Sequence, residues 1–175
     1  MSFTEKKIDG KTVYDGKILK LCVDNVELYY GKTAGRECVR HSGGAAVLLV
    51  DGGKVLLVKQ FRYLYGKEIY EIPAGKLNEG EDPEIAAARE LEEETGYKAS
   101  LLHAFDLFPS PGYTDEIIHV YFAEKFEKTQ SHPDEGEYLN CEFKPVGEVL
   151  KMIESGEICD AKTVAAVYRF TADKK

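Results

Sequence analysis

The sequence predicts an α/β protein, an α/β/α sandwich with a mixed β-sheet and a small N-terminal β-strand region. Three observations lead to this fold class. First, β-rich segments occur both before and after one well-delimited helix. Second, two more helices with apolar residues at helical spacing follow, and this mixture of strands and helices is typical of layered α/β folds. Third, the chain has 175 residues, of which 43% are hydrophobic, and is long enough for one domain with a substantial core.

Residues 1–42 are predicted to form the N-terminal β region, and residues 43–175 the main domain. The N-terminal region contains short β-rich segments, with Asp24-Asn25 as a candidate turn between two of them. This region has few apolar residues of its own. We therefore expect it to pack on the main domain or on a second subunit.

The main domain opens with a predicted hairpin. Residues 45–50 are a continuous apolar run, residues 54–61 are a second β-rich segment, and the tight turn Asp51-Gly52-Gly53 joins them. Further strands are predicted by alternating or β-rich sequence at residues 68–72, 101–108 and 117–123.

Three helices are predicted, and the first has clear signals at both ends. Asp82 is a favoured N-cap, Pro83 suits the first helical position and Gly96 is a favoured C-terminal stop. This helix is therefore predicted over Pro83–Thr95. The two later helices are predicted at residues 146–155 and 161–170, where apolar residues recur at helical spacing.

The first helix carries clustered carboxylates. At about 100° per residue, Glu90, Glu93 and Glu94 fall on one side of it, and like charges at i,i+4 cost a helix about 0.2–0.5 kcal/mol per pair. Arg89 is spaced to offset one of them, Glu93. The remaining charge is consistent with a solvated acidic face or with a bound hard divalent cation such as Mg²⁺.

The residues around this helix follow a longer pattern. Residues 75–97, GKLNEGEDPEIAAARELEEETGY, have the form G-x5-E-x7-R-E-U-x-E-E-x-G-U, where U is apolar or bulky. The pattern resembles the Nudix box of the Nudix hydrolases, which cleave nucleoside diphosphates linked to another moiety and use Mg²⁺ or Mn²⁺ on a loop–helix–loop. The resemblance implies the Nudix α/β/α sandwich. The fixed positions are filled by Gly75, Glu81, Arg89, Glu90, Leu91, Glu93, Glu94, Gly96 and Tyr97.

More of the chain, roughly residues 13–168, is similar to the ADP-ribose pyrophosphatase branch of that family. KQFRYLYGKEIYEIPAGKL precedes the box, and SPGYTDE follows it, with Pro111 fifteen residues after Gly96. DEGEYLNCEF and DAKTVAAV continue the resemblance. The resemblance implies that the protein hydrolyses ADP-ribose to AMP and ribose 5-phosphate.

The resemblance also implies a metal site for Mg²⁺, or for Mn²⁺ in its place. Glu90 and Glu94 are the implied carboxylate ligands, joined by the carbonyl group of Ala74 and by Glu137. For Glu81, both metal binding and hydrogen bonding to the backbone of the box loop stay open.

Catalytic and substrate-binding roles follow from the same resemblance. Glu135 is the implied general base, with Glu137 as the alternative, and Glu93 and Arg89 are the other implied catalytic residues. For the substrate, Arg62 is expected to contact the diphosphate. Three residues of the N-terminal region complete the expected substrate contacts: Arg36, Glu37 and, stacking on adenine, Tyr14.

Other functions stay open at this point. The box does not select the base or the sugar, so GDP-mannose, another nucleotide sugar or a broad set of nucleoside diphosphate sugars is an alternative substrate. A module that binds ADP-ribose without hydrolysing it is an alternative of another class. The complete set of box glutamates weighs against this module.

Composition limits the partners. The net charge is −8 and no Lys/Arg stripe is present, which weighs against nucleic acid. No apolar run approaches the ~20 residues of a bilayer span, and the first residues lack the apolar stretch of a secretory signal. We therefore expect a cytoplasmic protein with a small-molecule substrate and no membrane partner. The resemblance implies a homodimer.

The cysteines and histidines are dispersed along the chain. The four cysteines show no close pair, so free thiols are predicted. None of the four histidines pairs with another at metal-ligand spacing, and no chemistry is assigned to them.

Overall fold

The computed structural model describes residues 3–133 and 138–173, which belong to two compact units. The first unit comprises the chain up to Gly43 together with Phe108–Ile117. The second comprises Gly44–Leu107 and the chain from Ile118 onward. All described helices of the α type lie in the second unit.

The first unit contains an antiparallel sheet of three strands, in this spatial order: β1 (Lys6–Asp15), β2 (Leu19–Glu27) and β3 (Thr33–His41). The turn predicted at Asp24-Asn25 is wrong, because β2 continues through both residues. Asp24 is paired with Lys7 at 2.7 Å and with Arg40 at 3.3 Å on the neighbouring strands. Such cross-strand partners outweigh the preference of Asp and Asn for turns.

The second unit contains the predicted mixed sheet. Its four strands, in spatial order, are β8 (Ala74–Lys76), β4 (Gly44–Leu48), β10 (Ile118–Lys128) and β9 (Tyr97–Leu107). Strands β4 and β10 run parallel, whereas the other neighbours are antiparallel. The box therefore begins on an edge strand of this sheet.

A second, antiparallel sheet completes the strands of this unit. Its members are β11 (Leu139–Pro145), β6 (Lys54–Arg62), β5 (Val50–Asp51) and β7 (Lys67–Glu71). The predicted tight turn joins β5 to β6, with Asp51 opposite Lys54. The apolar run at residues 45–50 is not one strand, because β4 pairs in the mixed sheet and β5 in the antiparallel one.

The three α-helices are α1 (Pro83–Thr95), α2 (Val146–Glu154) and α3 (Ala161–Asp173). The bounds predicted for α1 are confirmed. The Asp82 side chain accepts a hydrogen bond from the backbone N–H of Glu84 at 2.9 Å, and Gly96 ends the helix in the left-handed conformation with φ 66°. None of the helices in the described ranges is long and apolar enough to cross a bilayer.

The core of the second unit forms on both faces of β4. Ala45 and Val47 belong to the cluster that contains Ala86 and Ala87 of α1, and these two alanines are fully buried. The alternate residues of β4 belong to the cluster that contains α2 and α3. Helices thus cover opposite faces of the sheet, as an α/β/α sandwich requires. All four cysteines are free, as predicted.

Candidate active site

Arg89 holds three carboxylates of the box together. Its Nε and Nη2 atoms form a forked pair with Glu81 at 2.9 and 3.0 Å. Its Nη1 donates to Glu90 at 2.7 Å and to Glu93 at 2.9 Å, and Nη2 also donates to the carbonyl oxygen of Lys76 at 3.2 Å. One arginine therefore offsets three glutamates, whereas helical spacing predicted Glu93 alone.

Glu81 fixes the loop that leads into α1. Besides the pair with Arg89, its Oε2 accepts a hydrogen bond from the backbone N–H of Asn78 at 2.8 Å. The hydrogen bonds from Arg89 and Asn78 lower the pKa of Glu81 to about 2. Of the two roles left open for Glu81, these contacts support loop stabilisation.

Glu90 and Glu94 face the backbone of β8. The Glu94 carboxylate, in a residue only 5% exposed, accepts a hydrogen bond from the backbone N–H of Ala74 at 3.1 Å. At the next residue, Gly75, an added Cβ atom would overlap the carboxyl group of Glu90. Two consecutive backbone positions thus receive two carboxylates that lie one helical turn apart on α1.

This arrangement fits a hard divalent cation. Glu90 and Glu94 offer carboxylate oxygens, and Mg²⁺ and Mn²⁺ take oxygen ligands in proteins. The predicted ligand Ala74 is brought to the same place by its hydrogen bond with Glu94.

Arg62, the predicted diphosphate contact, forms a forked ion pair with Glu71. The Arg62 Nε and Nη2 atoms lie 2.5 and 2.8 Å from the two carboxylate oxygens. Glu71 is 2% exposed and also pairs with Lys162 of α3. Burial alone would raise the pKa of Glu71, but the hydrogen bond from Arg62 and the charge of Lys162 outweigh it and hold the pKa below its usual value.

Helix α3 is joined to the segment that precedes the box. The hydroxyl oxygen of Thr163 accepts a hydrogen bond from the backbone N–H of Ile72 at 2.8 Å. Asp160 fixes this end of the helix, since it accepts hydrogen bonds from the Thr163 backbone at 3.0 Å and from Lys162 at 3.0 Å. The path from Arg62 through Glu71 to α3 therefore forms one connected polar network.

Sequence reasoning missed this network. Glu71 belongs to the segment EIYEI, where strict alternation places it on the same face as Ile69. A charged residue between the apolar residues Tyr70 and Ile72 was the available signal, because a charge in such surroundings needs a partner. Nothing in the spacing identified Lys162, 91 positions away, as that partner.

The predicted substrate contacts of the N-terminal region lie in the first unit. Tyr14 is on β1 and 59% exposed. Arg36 on β3 pairs with Glu5, with its Nε 2.9 Å from a carboxylate oxygen, and Glu37 pairs in register with Val23. The roles of Tyr14, Arg36 and Glu37 toward substrate stay predictions.

The candidate bases Glu135 and Glu137 lie outside the described residues. The chain that leads toward them is joined to the end of α1. The backbone N–H of Thr129 donates to the carbonyl oxygen of Gly96 at 2.6 Å, and that of His132 donates to the carbonyl oxygen of Glu93 at 2.9 Å.

Comparison with known proteins provides independent evidence on the family of this chain. A family model described as the NUDIX domain matches residues 40–167. A protein of Bacillus subtilis (strain 168) named ADP-ribose pyrophosphatase is 46% identical over 170 residues, which cover 95% of this chain and 92% of the relative. A methanol dehydrogenase activator of Bacillus methanolicus is 44% identical over 169 residues, covering 94% of this chain and 91% of the relative.

A solved structure shows the same fold. The crystal structure of an ADP compounds hydrolase superposes with a TM-score of 0.85 and covers 98% of this chain and 95% of its own. Its sequence is 18% identical, so this likeness concerns the fold alone. It confirms the fold class predicted from the sequence.

Proposed function

Since the chain belongs to the Nudix hydrolase family, we propose that it hydrolyses the pyrophosphate bond of ADP-ribose to give AMP and ribose 5-phosphate. The observation that carries this proposal is the placement of Glu90 and Glu94 against the β8 backbone, where the box begins. The substrate is supported by the name of the Bacillus subtilis relative, an ADP-ribose pyrophosphatase.

The proposed cofactor is Mg²⁺, with Mn²⁺ as a substitute. Glu90, Glu94 and the carbonyl group of Ala74 would hold it, together with Glu137. When bound, the cation supplies positive charge that offsets the negative charge of the pyrophosphate oxygens. The oxygen-only donor set supports this choice over a softer transition metal.

The residues of this chain have complementary proposed roles. Arg89 positions Glu90 and Glu93 for the reaction by its hydrogen bonds to both. Arg62 binds the diphosphate: Glu71 engages its Nε and Nη2, and the Nη1 group can donate to phosphate oxygens. Glu135, with Glu137 as the alternative, removes the proton of the attacking water.

The proposed N-terminal contacts concern the nucleoside and the sugar. Tyr14 presents an exposed ring that can stack on adenine, and Arg36 and Glu37 on β3 offer polar groups to the substrate. We further propose a cytoplasmic protein that binds neither membranes nor nucleic acid, which its net charge of −8 supports.

The substrate is tested by comparing rates on ADP-ribose, GDP-mannose and FAD with purified protein and Mg²⁺. AMP and ribose 5-phosphate, detected by chromatography, are expected from ADP-ribose, at a higher kcat/KM than for the other two. A higher value on GDP-mannose would favour the alternative nucleotide sugar. ADP-ribose that binds but survives in the presence of Mg²⁺ would favour a binding module.

The metal site is tested by Glu94→Gln. Glutamine keeps an acceptor for the Ala74 N–H but removes the ligand charge, so kcat should fall by about 1,000-fold with little change in melting temperature. Glu92→Gln is the matched control, because Glu92 lies on the same helix and pairs with Lys98 at 3.1 Å. Equal losses in both variants would contradict the assignment.

We propose that the chain forms a homodimer, which exposed apolar side chains of the first unit support. Ile8 and Val13 on β1 are each 55% exposed, and Ile18 is 63% exposed. Association through this region would remove such surface from water. Light scattering during size-exclusion chromatography should give twice the mass of 19.6 kDa, and a monomer would contradict the proposal.

A further inference from the structure

Three side chains with metal-ligating atoms meet on the mixed sheet, outside the box. His103 and Asp106 lie on β9, and His119 lies on β10. One Asp106 oxygen is 2.9 Å from Nε2 of His103 and 2.8 Å from Nδ1 of His119. All three ligand atoms lie within 4.8 Å of one another.

A β-bulge brings these residues together. In a regular strand, residues three apart such as His103 and Asp106 point to opposite faces. Here Phe105 pairs with Val120 but His103 pairs with Tyr121, so one residue of β9 between them is extra. That insertion returns His103 to the face of Asp106, and dispersed sequence positions become one cluster.

The donor set differs in kind from that of the box. Two imidazole nitrogens and one carboxylate oxygen suit Zn²⁺ and related transition-metal ions, whereas Mg²⁺ prefers oxygen alone. Glu90 and Glu94 offer oxygen only. The two sets therefore select different cations.

The observed separations are compatible with tetrahedral coordination. Zn²⁺–ligand distances of about 2.0–2.1 Å place the ligand atoms of a tetrahedral site roughly 3.3 Å apart. The two separations to Asp106 must widen by about half an ångström, and the two histidine nitrogens, which lie within 4.8 Å of each other, must come closer. The Asp106 side chain is 44% exposed, which leaves room for this adjustment. The side chains of His103 and His119 are 50% and 22% exposed, which leaves an approach for the ion and for a water ligand.

The surroundings favour a cation. The ring of His103 meets the ring of Tyr121 edge-on, with centroids 5.4 Å apart. The Asp106 carboxylate contributes a negative charge at the cluster, which lowers the energy of a positive ion there.

We propose that His103, Asp106 and His119 form a second metal site, which binds one Zn²⁺ and ties β9 to β10 at the bulge. The site is independent of the oxygen ligands of the box. It would stabilise this hairpin of the mixed sheet rather than take part in hydrolysis.

The test is a calorimetric titration of the full chain with Zn²⁺ in saturating Mg²⁺, which occupies the oxygen site. One equivalent of Zn²⁺ should bind, and Co²⁺ in its place should give the visible absorption of a tetrahedral ion. His103→Gln and His119→Gln should each weaken this binding by about 100-fold or more. The matched control is His132→Gln, because His132 is an exposed histidine outside the cluster.

Two further variants make the result decisive. Glu94→Gln should keep the Zn²⁺ equivalent, whereas loss of that equivalent would place the ion in the box and overturn the proposal. Zn²⁺ binding that is absent, or that survives both histidine substitutions, would also overturn it. If a histidine variant fails to fold, Asp106→Asn is titrated with Zn²⁺ in its place. It keeps a hydrogen-bond acceptor for the two rings but removes the ligand charge, so Zn²⁺ binding should weaken.

Discussion

At the scale of single residues, Gly75 determines where the Glu90 carboxylate can lie. The glycine has no positive φ, so its role is not conformational. Its missing side chain leaves space that the Glu90 carboxyl group fills. Any larger residue must displace that group, because the backbone of β8 is fixed by pairing with β4.

Gly75→Ala should therefore lower kcat by about 100-fold through a misplaced Glu90, while the melting temperature changes little. Steady-state kinetics on ADP-ribose and thermal unfolding measure the two effects. Gly147→Ala is the matched control, since a Cβ atom there meets no other residue. Full activity in Gly75→Ala would show that Glu90 tolerates displacement.

Arg89 has a different kind of importance, because it is a cation shared by three anions. Glu81, Glu90 and Glu93 all depend on one guanidinium group. Its removal leaves partly buried carboxylates facing one another, which costs more than loss of an exposed pair.

Arg89→Gln should lower the free energy of unfolding by about 2 kcal/mol and should also reduce activity. Urea denaturation measures the first effect. Arg169→Gln removes an exposed pair with Asp173, whose side chains are 55% and 53% exposed, and should cost at most about 0.5 kcal/mol. Similar losses in the two variants would contradict the shared role of Arg89.

At the scale of elements, features that depend on residues close in sequence could be predicted, whereas features that depend on contacts between distant residues could not. Helix α1 was predicted with its exact bounds because Asp82, Pro83 and Gly96 are local signals. The bulge in β9 was not predicted, since it depends on pairing with β10. The side of α1 that carries Glu90, Glu93 and Glu94 was predicted from helical spacing, whereas the Arg62–Glu71 pair depends on two strands meeting.

The cap of α1 can be tested directly. Asp82→Ala removes the acceptor for the Glu84 backbone N–H and should lower the free energy of unfolding by about 1 kcal/mol. Asp82→Asn keeps an acceptor and should cost much less. Urea denaturation of the parent and both variants measures these differences. An Asp82→Ala variant as stable as the parent would show that the cap contributes nothing.

At the scale of the whole molecule, stability should depend on the ionisation of Glu71. Its pKa in the folded chain lies below the usual value of 4.5. Because this pKa is depressed, the stabilising contribution of Glu71 is complete above the pKa that it has in the unfolded chain. The contribution is lost as the pH falls through the lower pKa of the folded chain. Acid should therefore weaken the link between β7 and α3.

Glu71→Gln tests this dependence. At about pH 7 the variant should be less stable than the parent by about 3 kcal/mol, because Arg62 and Lys162 lose their common anion. That difference should begin to shrink below about pH 4.5 and should vanish as the pH falls through the lower pKa of the folded chain, where the parent itself becomes protonated. Urea denaturation across this range measures it, with the exposed Glu124→Gln as control. A difference independent of pH would contradict the assignment.

The contacts of α3 limit how the gene can be shortened. A stop codon before this helix would remove Lys162 and Thr163, and with them the partners of Glu71 and of the Ile72 backbone. Truncated versions made for expression would then lose the support of the strand that enters the box. Affinity tags are better placed after Asp173, whose side chain is 53% exposed.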